Sequence, residues 1–163
     1  MKAGESELAR LVGLHFRASG LTLAVAEGAT GGRIGERLVR HPGASAFFLG
    51  AVVTYGRQSR TELLGVPEEM LQAYGTVSEQ AARAMAEGVR RRFGSGVGFA
   101  STGVAGPTGG TPAKPVGLVW MALASSQSTH ARQHLVRGLG RAATQQAFTV
   151  LALQWLSDFA ERR

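Results

Sequence analysis

Two glycine-rich segments, each following directly on an apolar run of strand length, constrain this chain more than any other feature. Residues 21–26, Leu-Thr-Leu-Ala-Val-Ala, lead into Glu27-Gly28-Ala29-Thr30-Gly31-Gly32 and then into a helical stretch at 33–40. Residues 97–101 lead into Thr102-Gly103-Val104-Ala105-Gly106-Pro107 and on to Pro112, too rich in Gly and Pro for helix or strand. A strand, glycine turn and helix in succession predict an α/β sheet, in which ligands bind beyond the carboxyl ends of the strands. Both loops then meet at one crevice. The N–H groups of a glycine turn and the positive end of the following helix attract an anion, a role for which Gly31 and Gly32 are placed. The same glycines also fit plain turns, and the first loop matches neither the dinucleotide nor the Walker fingerprint.

The rest of the chain continues the layered pattern. Residues 5–19 carry Leu8, Leu11, Val12, His15 and Phe16 at helical spacing, with Gly20 as the cap. A strand is predicted over 47–55, with Gly50 as a bulge, followed by short helices at 57–64 and 67–74. A longer helix opens at Ser78 and runs to 93 with Ala81, Ala82, Met85, Ala86 and Val89 facing inward. Residues 116–124 and 129–136 read as a hairpin, and 142–159 as a closing helix. The expectation is one domain over 1–163: a three-layer α/β/α fold with a mixed, mostly parallel sheet flanked by helices.

Composition excludes several chemistries. The absence of cysteine removes disulfides, thiolate zinc sites and cysteine nucleophiles. Asp158 is the only aspartate and Glu27 the only acid in the first loop, so hydrolysis by paired carboxylates lacks a partner. His15, His41, His130 and His134 give no metal spacing beyond a loose four-residue gap. Net charge is +7, and the 18 basic residues are all arginine except Lys2 and Lys114. Such charge suits a polyanion, but the arginines are scattered and no aromatics cluster among them, so nucleic acid is a weak expectation. No apolar run is long enough to cross a bilayer, and the Met1-Lys2-Ala3 start is unlike a signal peptide, which predicts a cytoplasmic protein without a membrane partner.

An ordered set of landmarks adds to this: Ala26-Glu27-Gly28-Ala29-Thr30-Gly31-Gly32, Pro42-Gly43-Ala44-Ser45, Val53-Thr54-Tyr55, Leu64-Gly65-Val66-Pro67, Gly75-Thr76-Val77-Ser78-Glu79, Thr102-Gly103-Val104-Ala105-Gly106-Pro107 and Lys114-Pro115-Val116-Gly117. Together, over nearly the whole chain, they resemble the CinA carboxy-terminal domain family, which includes the nicotinamide mononucleotide amidohydrolases. The resemblance implies removal of the amide of nicotinamide mononucleotide, giving nicotinic acid mononucleotide and ammonia, with neither metal nor cofactor. It also implies a homo-oligomer, with Phe47, Phe48 and the face near Met70 as candidate contacts, and a historical link with competence that would suit nucleic acid.

Three positions depart from the family pattern. The expected nucleophilic serine is Gly28, which has no side chain to attack a carbonyl. The lysine expected to accept its proton is Arg60, which stays protonated. Of two arginines expected to recognise substrate, the first falls on Arg141 and the second on Gln145. What persists is a frame for a small nucleotide-like ligand: Glu27, Thr30, Gly31, Gly32, Thr54, Tyr55, Thr102, Gly103 and Gly106, with Arg57 near it and Glu27 accepting loop N–H groups. The resulting expectation is a catalytically impaired member that keeps its pocket. The alternatives are an amidohydrolase acting through water held by Thr30 and Thr102, and a basic nucleic-acid-associated protein. Ser45, Ser59, Ser78 and Ser101 fit turns and a helix cap better than a replacement nucleophile.

Overall fold

A computed structural model describes residues 4–163, so Met1, Lys2 and Ala3, with the expectation placed on them, lie outside the described residues. The elements run α1 (Glu5–Ser19), β1 (Leu23–Glu27), α2 (Arg33–Val39), a 3-10 turn (Ala44–Ala46), β2 (Phe48–Val53), α3 (Arg57–Leu64), α4 (Glu68–Tyr74), α5 (Glu79–Phe93), β3 (Val97–Gly103), β4 (Leu118–Ala124), β5 (Thr129–Leu135) and α6 (Arg141–Glu161). Caps behave as their residues dictate. Gly20 closes α1 in the left-handed region, and the Ser78 hydroxyl accepts the Ala81 N–H at the start of α5.

The sheet order is β2-β1-β3-β4-β5, with β1 parallel to β2 and β3, and β4 antiparallel to β3 and β5. Four strands therefore point one way and β4 the other. A bulge interrupts the β1–β2 ladder where Leu23 pairs Phe48 but Ala24 pairs Gly50. Ser101, expected in a turn, lies inside β3, because the strand runs on to Gly103. Phe47 is buried in the core with its ring centroid 5.7 Å from that of Phe16, so it is not a surface contact.

Strand alternation divides the core. Leu23, Val25, Phe99, Val119 and Met121 face α1, α2 and α6, whereas Ala24, Ala26, Ala100, Ala122 and Ala124 face α5. The alanine face lets α5 lie close, and Gly98 sets the limit: a Cβ there would stand 2.1 Å from the Ala86 carbonyl oxygen. Backbone cannot yield as a flexible side chain does. Gly98→Ala should therefore destabilise the protein by about 3 kcal/mol, read as a lowered denaturant midpoint at unchanged slope.

Glu5 ties α1 to α2, its carboxylate accepting from Arg33 Nε at 2.8 Å and Arg37 Nε at 2.8 Å. Burial pushes its pKa up, but the bonds and charges of Arg33 and Arg37 outweigh that and hold it below the usual value of 4.5. A depressed folded pKa contributes stability that is present above the unfolded value and lost as pH falls through the folded one. Glu5→Gln should thus cost roughly 1 kcal/mol at neutral pH. It should also flatten the loss of stability that the wild type shows below pH 4.5, as acid-unfolding curves would record.

Candidate functional site

Because Glu27 of β1 pairs with Val53 of β2 and Ser101 of β3, the carboxyl ends of three parallel strands finish side by side. The chain leaves β1 to one side for β2 and returns past it to β3, with α2 on one face and α5 on the other. The crevice between β1 and β3 is therefore the switch point at which open α/β sheets bind ligands. A cleft of about 240 Å³ opens there, lined by Gly28, Ala29, Tyr55, Arg60, Thr76, Val77, Gly103, Ala105 and Arg141.

The first loop does not present its helix N-terminus to this cleft. The Glu27 side chain is fully buried, and its Oε2 accepts from the Thr30 hydroxyl at 2.7 Å and from the Gly32 and Ile34 N–H groups at 3.0 Å each. Oε1 accepts from the Gly35 N–H at 2.8 Å. The anion expected at the start of α2 is thus the protein's own carboxylate, accepting from the loop N–H groups. Gly31 and Gly32, both at positive φ, shape the turn around it.

Arg60 projects from α3 into the bottom of the cleft and is 4% exposed. Its Nε donates to the Thr54 carbonyl at 3.2 Å, and Nη1 donates to the Thr76 carbonyl and, at 2.9 Å, to the Thr102 hydroxyl. Burial lowers its pKa to about 10, which leaves it cationic at neutral pH and unfit to serve as a base. Beside it stands Gly28, whose N–H donates to the Ser101 carbonyl at 2.9 Å. A Cβ on Gly28 would lie 3.0 Å from Arg60 Nη2 and 3.1 Å from the Ser101 oxygen. Glycine is kept here by space, not by backbone angle: the guanidinium fills the room that a side chain at 28 would take.

Arg141, at the start of α6, donates to the Gly106 carbonyl at 2.7 Å and to the Tyr55 hydroxyl at 2.9 Å. Among the described residues neither Arg60 nor Arg141 is ion-paired, although six other arginines are. Gln145 instead donates to the Ala29 carbonyl at 2.9 Å and so fixes the first loop to α6.

Of the expected residues, the structure brings Gly28, Tyr55, Arg60, Gly103 and Arg141 to the cleft wall. Gly106 contributes its carbonyl to Arg141. Glu27 and Thr30 lie buried behind the loop, and Thr54 lies buried with its hydroxyl unpartnered. Thr102 is buried as well, its hydroxyl donating to the Thr76 carbonyl at 2.6 Å. Arg57 faces away, paired with Glu68 at 2.7 Å. Ser78 caps α5 and the Ser101 hydroxyl meets Thr30 at 3.1 Å, while neither they nor Ser45 and Ser59 line the cleft. Thr76 and Val77, which the sequence marks only through the Gly75–Glu79 landmark, line it as well. Gly75 before them, which ends α4 at positive φ, is the signal that marks this wall. Among the described residues no group of three His, Asp or Glu side chains could hold a metal.

Fold and site together define an α/β domain with a doubly cationic cleft at its strand ends. Residues 5–160 match the model of the CinA C-terminal domain. A CinA-like protein of Gemmatimonas aurantiaca is 51% identical over 135 residues, covering 83% of this chain and 32% of that protein. A putative competence-damage inducible protein of Desulforudis audaxviator is 50% identical, covering 82% of this chain and 32% of its own length. The chain thus spans about a third of these curated relatives. The crystal structure of the competence/damage inducible protein CihA from Agrobacterium tumefaciens superposes with a TM-score of 0.92 at 34% identity, covering 100% of this chain and 99% of that one. A CinA superfamily protein from Klebsiella pneumoniae gives 0.93 at 27% identity, covering 99% and 100%. The chain belongs to the CinA C-terminal domain family.

Proposed function

We propose that this chain binds a small, anionic, nucleotide-like ligand in the cleft and has lost the serine-and-lysine deamidation of nicotinamide mononucleotide. One observation carries the reading: Gly28 and Arg60 stand face to face where the resemblance places nucleophile and base. The water-based alternative finds no support, because the Thr30 and Thr102 hydroxyls are buried and donate to Glu27 and the Thr76 carbonyl. Two guanidiniums with no carboxylate beside them favour an anion. No helix among the described residues is long and apolar enough to cross a membrane. We propose a cytoplasmic location and self-association with it, the latter removed by light scattering that gives the monomer mass. Ammonia release from nicotinamide mononucleotide by the purified protein is expected at or near the uncatalysed rate. Turnover at rates ordinary for enzymes, about 1 per second or faster, would overturn the reading.

A further inference from the structure

A guanidinium carries five N–H donors, and Arg60 spends three of them, one on Thr54 and two on Thr76 and Thr102. The two on Nη2 have no partner among the described residues, although Arg60 is 96% buried, being 4% exposed, and lines the cleft. Nη2 lies beside Gly28 in the cleft wall, where a Cβ would come within 3.0 Å of it. A buried cation with two free donors and no counter-charge calls for an acceptor that carries negative charge.

We propose that Arg60 Nη2, beside Gly28 in the cleft wall, receives a ligand carboxylate, so that the cleft selects an acid over the amide of the same shape. Both oxygens of a carboxylate accept, and its charge offsets one of the two unpaired guanidiniums. An amide in the same place is neutral and turns its own NH2 donors toward donors. At a pKa of about 10, Arg60 keeps its charge throughout the neutral range. The inference rests on the non-hydrolysing reading above, since a cleft that cleaved the amide would hold it only in passing.

The matched pair nicotinic acid mononucleotide and nicotinamide mononucleotide tests it, because the two share ribose and phosphate and differ at the acid or amide. Calorimetric titration of the whole chain at neutral pH should give at least about tenfold tighter binding of the acid. Arg60→Gln should bring that ratio close to one. Equal affinities, a preference for the amide, or a ratio unchanged in Arg60→Gln would overturn the proposal. Free nicotinate and inorganic phosphate serve as competitors. Loss of nicotinate competition in Arg60→Gln supports the assignment, whereas loss of phosphate competition in Arg60→Gln, with an acid-to-amide ratio already near one in the wild type, gives Arg60 to a phosphate instead and overturns it. If Arg60→Gln fails to fold, Gly28→Ser, whose side chain crowds Nη2, should lower the ratio by itself, and an unchanged ratio there would overturn the proposal. Ammonia measured in the same samples separates the two readings, because its release sinks the loss of deamidation while a lack of acid preference sinks only this one.

Discussion

Replacing Gly28 by Ser and Arg60 by Lys together should switch on ammonia release from nicotinamide mononucleotide, by about a thousandfold or more over the wild-type chain. Gly28→Ser alone should remain silent. The asymmetry follows from the geometry. With Arg60 in place, the Cβ of a serine at 28 lies 3.0 Å from Nη2, and the hydroxyl faces a permanent cation that cannot accept its proton. A lysine at 60 is shorter and leaves that room open. The burial that pulls Arg60 down to about 10 would also pull a lysine toward neutrality, where it can act as a base. Nucleophile and base act as one unit, so each alone recovers little, and restoring both recovers the several orders of magnitude their loss costs. Steady-state assay of both singles and the double decides it. A double variant as inactive as the wild type would mean that Gln145, standing where the second substrate arginine is expected, also blocks the reaction.

The second large effect is expected at Glu27. Glu27→Ala should destabilise the protein by about 3–5 kcal/mol, lowering the melting temperature by roughly 8–15 °C for a chain of this size. The truncation leaves the N–H groups of Gly32, Ile34 and Gly35 and the Thr30 hydroxyl without their acceptor. No cap side chain takes over, since the residue before α2 is Gly32. Glu27→Gln keeps the shape and two acceptor lone pairs, so it should cost less than half as much. Calorimetric melting of the three proteins separates them. A loss under about 1 kcal/mol for the alanine variant would show that the carboxylate does not anchor α2.

The layered fold was legible because its signals are local. Apolar runs of strand length, the Ser78 cap and Gly20 behind helix α1 are visible residue by residue, and they recur in the structure. Both glycine-rich loops do end beside one cleft, as strand-to-turn order implies. What stayed hidden depends on tertiary placement. That Glu27 accepts N–H groups of the first loop was legible, but that it thereby occupies the N-terminus of α2 and leaves ligand anions to the arginines was not. The strand reading placed Phe47 at the start of β2, whereas tertiary packing draws it against Phe16. Thr76 and Val77 reach the cleft wall because the Thr76 carbonyl is held by Arg60 and by the Thr102 hydroxyl, and Arg57 turns away because Glu68 lies within reach. The charge state of Arg60 was legible, but its free Nη2 was not, because Thr54, Thr76 and Thr102 come from three separate segments.

The central claim is that the cleft holds its ligand without a nucleophile–base pair, and a single-turnover experiment tests it most directly. Nicotinamide mononucleotide is mixed with excess protein and its aromatic proton resonances are followed for a day by NMR. The account predicts resonances shifted or broadened by binding that never convert to those of nicotinic acid mononucleotide. Conversion of one equivalent within minutes would contradict it.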